Sequence, residues 1–442
     1  MSVTTRSLAG ALVAVLGAEG LHDDAATVAD AAVDGVAPRW VAAPATAEQL
    51  AQVLLLAHAE DLVVIPRGSG GNLEHGCPPR RVDLVLDLRR LDAVIEHNPD
   101  DLTVSVQAGM TAGTLAARLA PLRQALPLDP PGWSGRTLGG IAATQASGPL
   151  RMRYGSMRDL LLGVRFVQAD GVLTWGGAKV VKSVTGYDVP KLMVGSLGTL
   201  GVLCELTLRL HPRPESEATR LAVFETMEAA GDFVARLLDS TLEPNRIELL
   251  NRAALARLDG VPRATAAVAV SVGSVDAAVR AQMATIEGLA RETGRTATPA
   301  ASDFWAAYGA MLDEAGRTLT LHVASLPARI VEAVRSIESA LASTAPGEEA
   351  VVAGCAALGT LDVMLPASVS AAPMAARLVE RMREDLAPLG GHAIVRRAPV
   401  ELRRQIDPWG PVDPGVMALM QALRDEFDPR RVLNPGRFVG RL

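Results

Sequence analysis

Cysteine is scarce in this chain of 442 residues: only Cys77, Cys204 and Cys355 occur, with no Cys-x-x-Cys pair among them. That spacing supports neither an iron–sulfur cluster nor a disulfide framework, and each thiol reads as a buried or incidental group of a reducing compartment. A large excess of one charge is also lacking. The formal net charge is −6, which gives no electrostatic footprint for nucleic acid. No apolar run reaches the roughly 20 residues that a membrane span needs. The longest, 351–365, is interrupted by Asp362 and by glycines and reads as core strands, and the run 11–16 is cut short by Gly17 and Glu19. A secretory signal is therefore not indicated. The expectation is a cytoplasmic chain without direct membrane insertion, any association with the inner membrane being made through a partner. Histidines are few and scattered. His22, His58, His97, His211 and His322 show no i, i+4 pairing or cluster, so no metal site is expected.

What the chain has instead is glycine at chosen places. The richest stretch is 176–201, which contains Gly-Tyr-Asp at Gly186, Tyr187 and Asp188 and then Gly195, Gly198 and Gly201 at every third position, running into the apolar strand that begins at Val202. Glycine at that density before a strand marks backbone that takes positive φ or approaches another group closely. A second glycine turn follows the strand-like 61–65: Pro66, Arg67, Gly68, Ser69, Gly70, Gly71, Asn72, then Gly76. Its successive amides can form an anion-binding concavity for a pyrophosphate. It is no P-loop, because no Gly-Lys-Ser/Thr follows, and no Rossmann fingerprint, because Gly-x-Gly-x-x-Gly is absent. Three further segments come in order: 126–132 with Pro130; 136–148 with Thr137, Gly139, Gly140, Ala143, Ser147 and Gly148; and 154–159 with Tyr154, Gly155 and Asp159. Near the carboxyl end Asn434, Pro435 and Gly436 form a last turn.

In this order the motifs resemble the flavin-binding module of the vanillyl-alcohol oxidase and 2-hydroxyacid dehydrogenase superfamily, the PCMH-type FAD-linked oxidases. Within it they resemble most the FAD-binding subunits of bacterial glycolate oxidase. The resemblance spans 66–438 and implies FAD held by the residues just named from Pro66 to Val202, with Asn434 closing the site. Arg67 then meets phosphate or flavin, or is a solvated loop cation. Asp159 fits the family's Gly-x-x-x-Asp pattern and equally a helix cap, and Lys182 and Tyr187 either shape the flavin site or, for Tyr187, pack in the core. Relatives with covalent flavin place a histidine directly after the glycine pair. This chain has Asn72 there and His75 three residues later, so the FAD is expected to be non-covalent.

Chemistry in this class is supplied mostly by the cofactor, and the protein adds a cationic clamp for the substrate carboxylate and a base for its hydroxyl. Competent relatives carry a histidine-rich metal segment in the cap and a His-x-Gly-Asp-Gly-Asn string. Neither is present. The segment 390–397 resembles the glycolate oxidase subunit pattern instead, which makes His392 and Arg396 the catalytic candidates, His392 being a base or a hydrogen-bonded structural residue. The resemblance thus implies an FAD-binding subunit of a complex that oxidises a small 2-hydroxy acid such as glycolate or lactate, its own flavin being structural or relaying electrons while a sister FAD subunit with the complete metal motif does the oxidation and an iron–sulfur subunit passes electrons onward. The alternatives are a stand-alone FAD-dependent 2-hydroxyacid dehydrogenase and a sugar or aldonolactone oxidase of the same fold.

Length and composition fit two sizeable cores, with 49% hydrophobic and 21% charged residues. Apolar periodicity gives helices over 49–58 and 111–119 and strands over 82–88 and 102–107. Prolines at 212 and 214 mark a break. Beyond it strand-like and helix-like runs come in two sets, ending with a strand at 392–397, and the final helix is 416–427. The expected fold is α+β: an N-terminal helical segment 1–35, a two-part FAD-binding domain 36–213, a ferredoxin-like α+β cap 214–404, and a segment 405–442 whose helix returns to the FAD domain.

Overall fold

The computed structural model describes residues 3–178, 186–313 and 319–442. Lys182 lies outside them. The first half is built on two sheets. A four-stranded one takes Leu21–His22, Trp40–Ala42, Leu84–Asp87 and Val64–Arg67 in that order, the last three parallel. Helix Ala47–Ala59 packs on it. Thr46 caps that helix by accepting from the Gln49 amide at 3.1 Å, and Leu50, Val53, Leu54 and Ala57 fall on one face and are buried. Their i, i+3, i+4, i+7 spacing is the reason the segment is helical and docked. A five-stranded antiparallel sheet follows, ordered Val94–Asn98, Thr103–Gln107, Val202–Arg209, Leu161–Val167, Leu173–Gly177. Strand Val202–Arg209 joins the two cores. Val202 and Cys204 enter the first, and after a bulge between Leu203 and Glu205 the side chains of Leu206 and Leu208 enter the second. The bulge shifts the period-two alternation by one residue and so lets one strand serve both.

The cap is one eight-stranded antiparallel sheet made of two sets. Strands Ser216–Phe224, Arg246–Asn251, Ala266–Ser274 and Ala297–Pro299 are ordered fourth, first, third, second; strands Leu319–Ala324, Val351–Cys355, Thr360–Leu365 and His392–Arg397 continue as second, third, first, fourth. Each set is a split β-α-β unit. The second strands of both pair at the middle, Leu249 opposite Gly354. The cap is therefore two ferredoxin-like units fused edge to edge, one for each of the two sets of runs in the sequence. Helices Met227–Leu238, Asp276–Glu292, Ile330–Thr344 and Ala372–Leu386 cover one face, fully burying Phe233, Ile286, Ile337 and Met382. Part of the opposite face is covered by helix Phe304–Asp313, which no sequence signal had marked.

Helix Pro414–Phe427 brings the chain back to the first sheet. There the fully buried Asp428 accepts the Val432 and Leu433 amides at 3.0 and 2.8 Å and pairs with Arg424 at 3.1 Å, and Leu433 bridges Val64 in parallel.

Candidate active site

At the end of strand Val64–Arg67 the chain turns through 68–76, with positive φ at Gly70 and Gly76. A Cβ on Gly68 would land on Thr137 Oγ1. Only glycine lets this turn lie against the start of helix Leu138–Thr144, a segment read from sequence as loop and capped by Thr137, which accepts from the Gly140 amide at 3.3 Å. Arg437 anchors the turn by donating to the carbonyls of Leu73, His75 and Cys77. Asn434 ties three segments together. Its amide donates to Val64 O at 2.9 Å, its Nδ2 to Leu197 O at 2.7 Å, and its Oδ1 accepts from Arg437 at 3.2 Å.

The turn, the helix, Leu197–Gly198 and Asn434 line a cavity that is open to solvent on one side. Pro66, Arg67, Gly68, Ser69, Gly70, Gly71, Asn72, Thr137, Gly140, Ala143, Gly198 and Asn434 all line it. Residues separated by more than 350 positions thus meet. Among the described residues no acceptor takes the amides of Ser69, Gly70, Gly71 or Asn72. Arg67 bonds Asp30 through its terminal nitrogens, yet its buried Nε has no partner among the described residues. A concavity of glycine backbone with unmade N–H donors fits an anion such as the diphosphate of a dinucleotide. No histidine lines it, and Asn72 is engaged with Thr144 at 3.2 Å and with Arg136 at 3.1 Å.

Other candidates lie elsewhere. Gly76 abuts the Arg437 carbonyl, Gly139 packs on Ala108, and Gly201 packs on Phe166. Pro130 and Val202 are buried, while the neighbouring Pro131 reaches the second cavity described below. Tyr154 packs edge-on against His211 at 5.1 Å. Asp159 is a helix cap, its Oδ2 accepting the Ser156 amide at 2.7 Å, and Gly155 leaves room for it. Gly186 faces open space and Tyr187 is 95% exposed, so neither packs in the core. His392, at the start of the edge strand, is exposed and lines none of the cavities described here.

Two further cavities continue from the first toward the cap. The second shares Asn72 and Arg136 with the first and adds Ser147, Arg396 and Arg397. Arg136 reaches Asp313 at 3.6 Å, and Arg397 reaches Glu74 at 3.5 Å. Burial, followed by the charges of Arg397 and Arg396, draws the Arg136 guanidinium below its ordinary range, although Asp313 opposes this. Arg396 has no ion-pair partner among the described residues. His75, ring to ring with Trp409 at 4.7 Å, is pushed down to about 3 by burial and then by Arg396, and stays neutral.

The third cavity shares Ser147, Leu312 and Asp362 with the second and includes Gly148. Its floor is the cap sheet. His322 and Asp362 are opposite each other on adjacent strands, Nδ1 to Oδ1 at 3.1 Å. Glu248 accepts from the Tyr308 hydroxyl at 2.5 Å, while its buried Oε1 has no partner among the described residues. Burial pushes the Glu248 carboxyl up to about 8, with Asp129 and Asp362 adding to the effect, so it is protonated at neutral pH. None of His322, Asp362, Glu248 or Tyr308 was singled out as a site residue from sequence. The available signal was polar residues at period two, Thr320 and His322 among Leu319, Leu321 and Val323, on a sheet face that has to be covered. Among the described residues no three His, Cys, Asp or Glu side chains come together to hold a metal ion.

A glycine-floored anion cradle, closed by the returning carboxyl end and roofed by a double ferredoxin-like sheet, defines a flavin-dependent oxidoreductase. Residues 38–177 match the FAD binding domain family, and residues 213–438 match the C-terminal domain of FAD linked oxidases. The chain belongs to the FAD-linked oxidase family, and its cofactor is FAD. It is 28% identical over 425 residues to glycolate oxidase subunit GlcD of Bacillus subtilis, covering 91% of this chain and 89% of that protein. It is 27% identical over 430 residues to a probable mitochondrial D-lactate dehydrogenase of Danio rerio, covering 91% and 84%. Over 187 residues, 42% of this chain and 40% of the relative, it is 35% identical to D-2-hydroxyglutarate dehydrogenase of Xanthomonas citri pv. viticola. In fold it is similar to p-cresol methylhydroxylase, with a TM-score of 0.78 at 15% identity over 99% of this chain and 97% of that one. No described helix is long and apolar enough to cross a membrane.

Proposed function

We propose that this chain oxidises a small 2-hydroxy acid, of the glycolate or D-lactate kind, in the cavities between the flavin-holding part (36–213 with 405–442) and the cap (214–404). The carrying observation is the cationic group Arg136, Arg396 and Arg397 beside the glycine cradle, with Arg396 unpaired and facing the space. Guanidinium groups recognise a carboxylate through charge-assisted, paired hydrogen bonds. Residues 66–72, Thr137, Gly140, Ala143, Gly198 and Asn434 would hold the FAD, and Arg67 Nε with the free amides would take its diphosphate. FAD supplies two-electron acceptance at the substrate carbon. The chain's own part is to seat the carboxylate, exclude water and receive the hydroxyl proton. The three cysteines are isolated and buried, and electrons would leave through partners, in an assembly with a sister FAD subunit and an iron–sulfur subunit. The names of the glycolate oxidase and D-lactate dehydrogenase relatives support the substrate class.

The test is anaerobic mixing of the purified flavoprotein with glycolate, D-lactate and L-lactate, alone and with the sister subunit. Bleaching of the flavin absorbance by a hydroxy acid is expected. Flavin that stays oxidised in every mixture refutes the reading.

A further inference from the structure

The proposed oxidation needs a proton acceptor, and His392 lies in solvent. The cap sheet offers another. His322 lies on strand Leu319–Ala324 with Leu321 and Val323 pointing the other way into the helix-covered core, so the alternation of the strand fixes its ring on the cavity face. Asp362 on the neighbouring strand holds its Nδ1, which assigns the proton of the neutral ring to Nδ1 and leaves Nε2 as the acceptor. Asp362 lines both the third cavity and the cavity that carries the arginines, so the pair sits where these spaces join.

We propose that His322, oriented by Asp362, is the group that takes the hydroxyl proton of the substrate. The inference rests on the hydroxy-acid reading above. The balance is complete: the α-hydrogen and both electrons of its bond go to FAD, the hydroxyl proton goes to Nε2, the carbon–oxygen bond becomes a carbonyl, and a 2-oxo acid leaves. The charged and titratable groups facing the ring are Asp362 from the adjacent strand, Arg396 from the edge strand, Arg151 from the flavin domain, His75 from the glycine turn, and Glu248, Tyr308 and Cys355 across the third cavity. Burial, then the Arg396 charge, draws His322 below its ordinary range against the pull of Asp362, so the ring is neutral at pH 7 and able to accept. Burial alone would raise Asp362, but the hydrogen bond from His322 and the positive charge of Arg396 hold its carboxyl below the ordinary value.

Two measurements on the flavin-loaded protein and on His322→Gln and Asp362→Asn test this. In rapid mixing with the best hydroxy acid, the wild-type reduction rate should rise with pH along one acidic limb. His322→Gln should lose at least about 100-fold, within the range of general-base effects, and should lose that limb; Asp362→Asn should lose less and shift it. In calorimetric titration with oxalate, a mimic of the bound oxyacid, in buffers of different ionisation enthalpy, wild type should take up a proton on binding and His322→Gln should not. Reduction by His322→Gln at the wild-type rate with the same pH limb overturns the proposal and leaves the hydroxy-acid reading standing. Wild-type flavin inert to every hydroxy acid defeats that reading. In that case, oxalate-linked proton uptake lost in His322→Gln still supports His322 as the proton acceptor of the cavity, and identical uptake in both proteins overturns it.

Discussion

Replacing Glu248 by glutamine should make the protein less sensitive to rising pH, because the native carboxyl is held protonated while the unfolded one ionises. The Glu248 side chain is fully buried, one oxygen accepts from Tyr308 and the other has no partner among the described residues, and its pKa rises from 4.5 to about 8. The sign follows from proton counting. The contribution of this group to stability is fully present below pH 4.5, where both states carry the proton, and is lost progressively as pH climbs to about 8, since over that window only the unfolded chain releases it. Three and a half pH units at about 1.4 kcal/mol each set a ceiling on the order of 5 kcal/mol. Glutamine keeps the acceptor for Tyr308 and cannot ionise. The assay is urea unfolding of wild type and Glu248→Gln at pH 5, 6.5 and 8. The stability of Glu248→Gln relative to wild type should improve by at least about 2 kcal/mol between the extremes, a conservative share of that ceiling. Parallel pH curves for the two proteins would show that Glu248 is ionised in the folded state, and the reasoning would fail.

Replacing Gly140 by valine puts branched atoms into the lining of the first cavity, with Cβ 2.9 Å from Thr137 Oγ1, and should cut flavin content at least about tenfold, a loss of only about 1.4 kcal/mol of binding, with the cap still folded; flavin absorbance per protein checks it. In wild type, acid or heat should release all the FAD into the supernatant, and flavin that stays with the denatured chain would refute non-covalent binding. Arg396→Gln should weaken oxalate binding by about 10- to 100-fold, the range for a hydrogen bond to a charged group, with stability nearly unchanged because Arg396 has no ion-pair partner among the described residues; titration and thermal melting report the two halves. Asp428→Asn strips a buried carboxylate from Arg424 and two amides, and should cost about 3 to 5 kcal/mol in urea unfolding, whereas a loss below about 1 kcal/mol would mean the carboxyl-terminal return is held otherwise.

How much of this was legible beforehand depended on the range of the interactions. Glycine turns are local: Gly70, Gly76 and Gly198 carry positive φ because of their own backbone, so composition alone marks them, and the cradle from Pro66 to Asn72 could be read directly. Helices capped by Thr46 and Thr226 were legible for the same reason, the cap and the apolar period lying within a few residues. Short-range pattern also left choices open. His392 stood in a recognisable glycine-flanked string and falls at an exposed strand start, and of the two readings of Asp159 the structure shows the helix cap, with Gly155 leaving room for it.

The sequence by itself determined the cofactor class, the glycine turns and most of the order of helices and strands, because each is written in neighbouring residues. Only the tertiary structure decided which side chains meet the substrate space. Strand pairing put His322 opposite Asp362, the central pairing of the two cap units put Glu248 opposite Cys355, and domain packing brought Arg136 within reach of Arg396 and Arg397. Those contacts are fixed by register and by burial of distant apolar faces, and no local spacing encodes them.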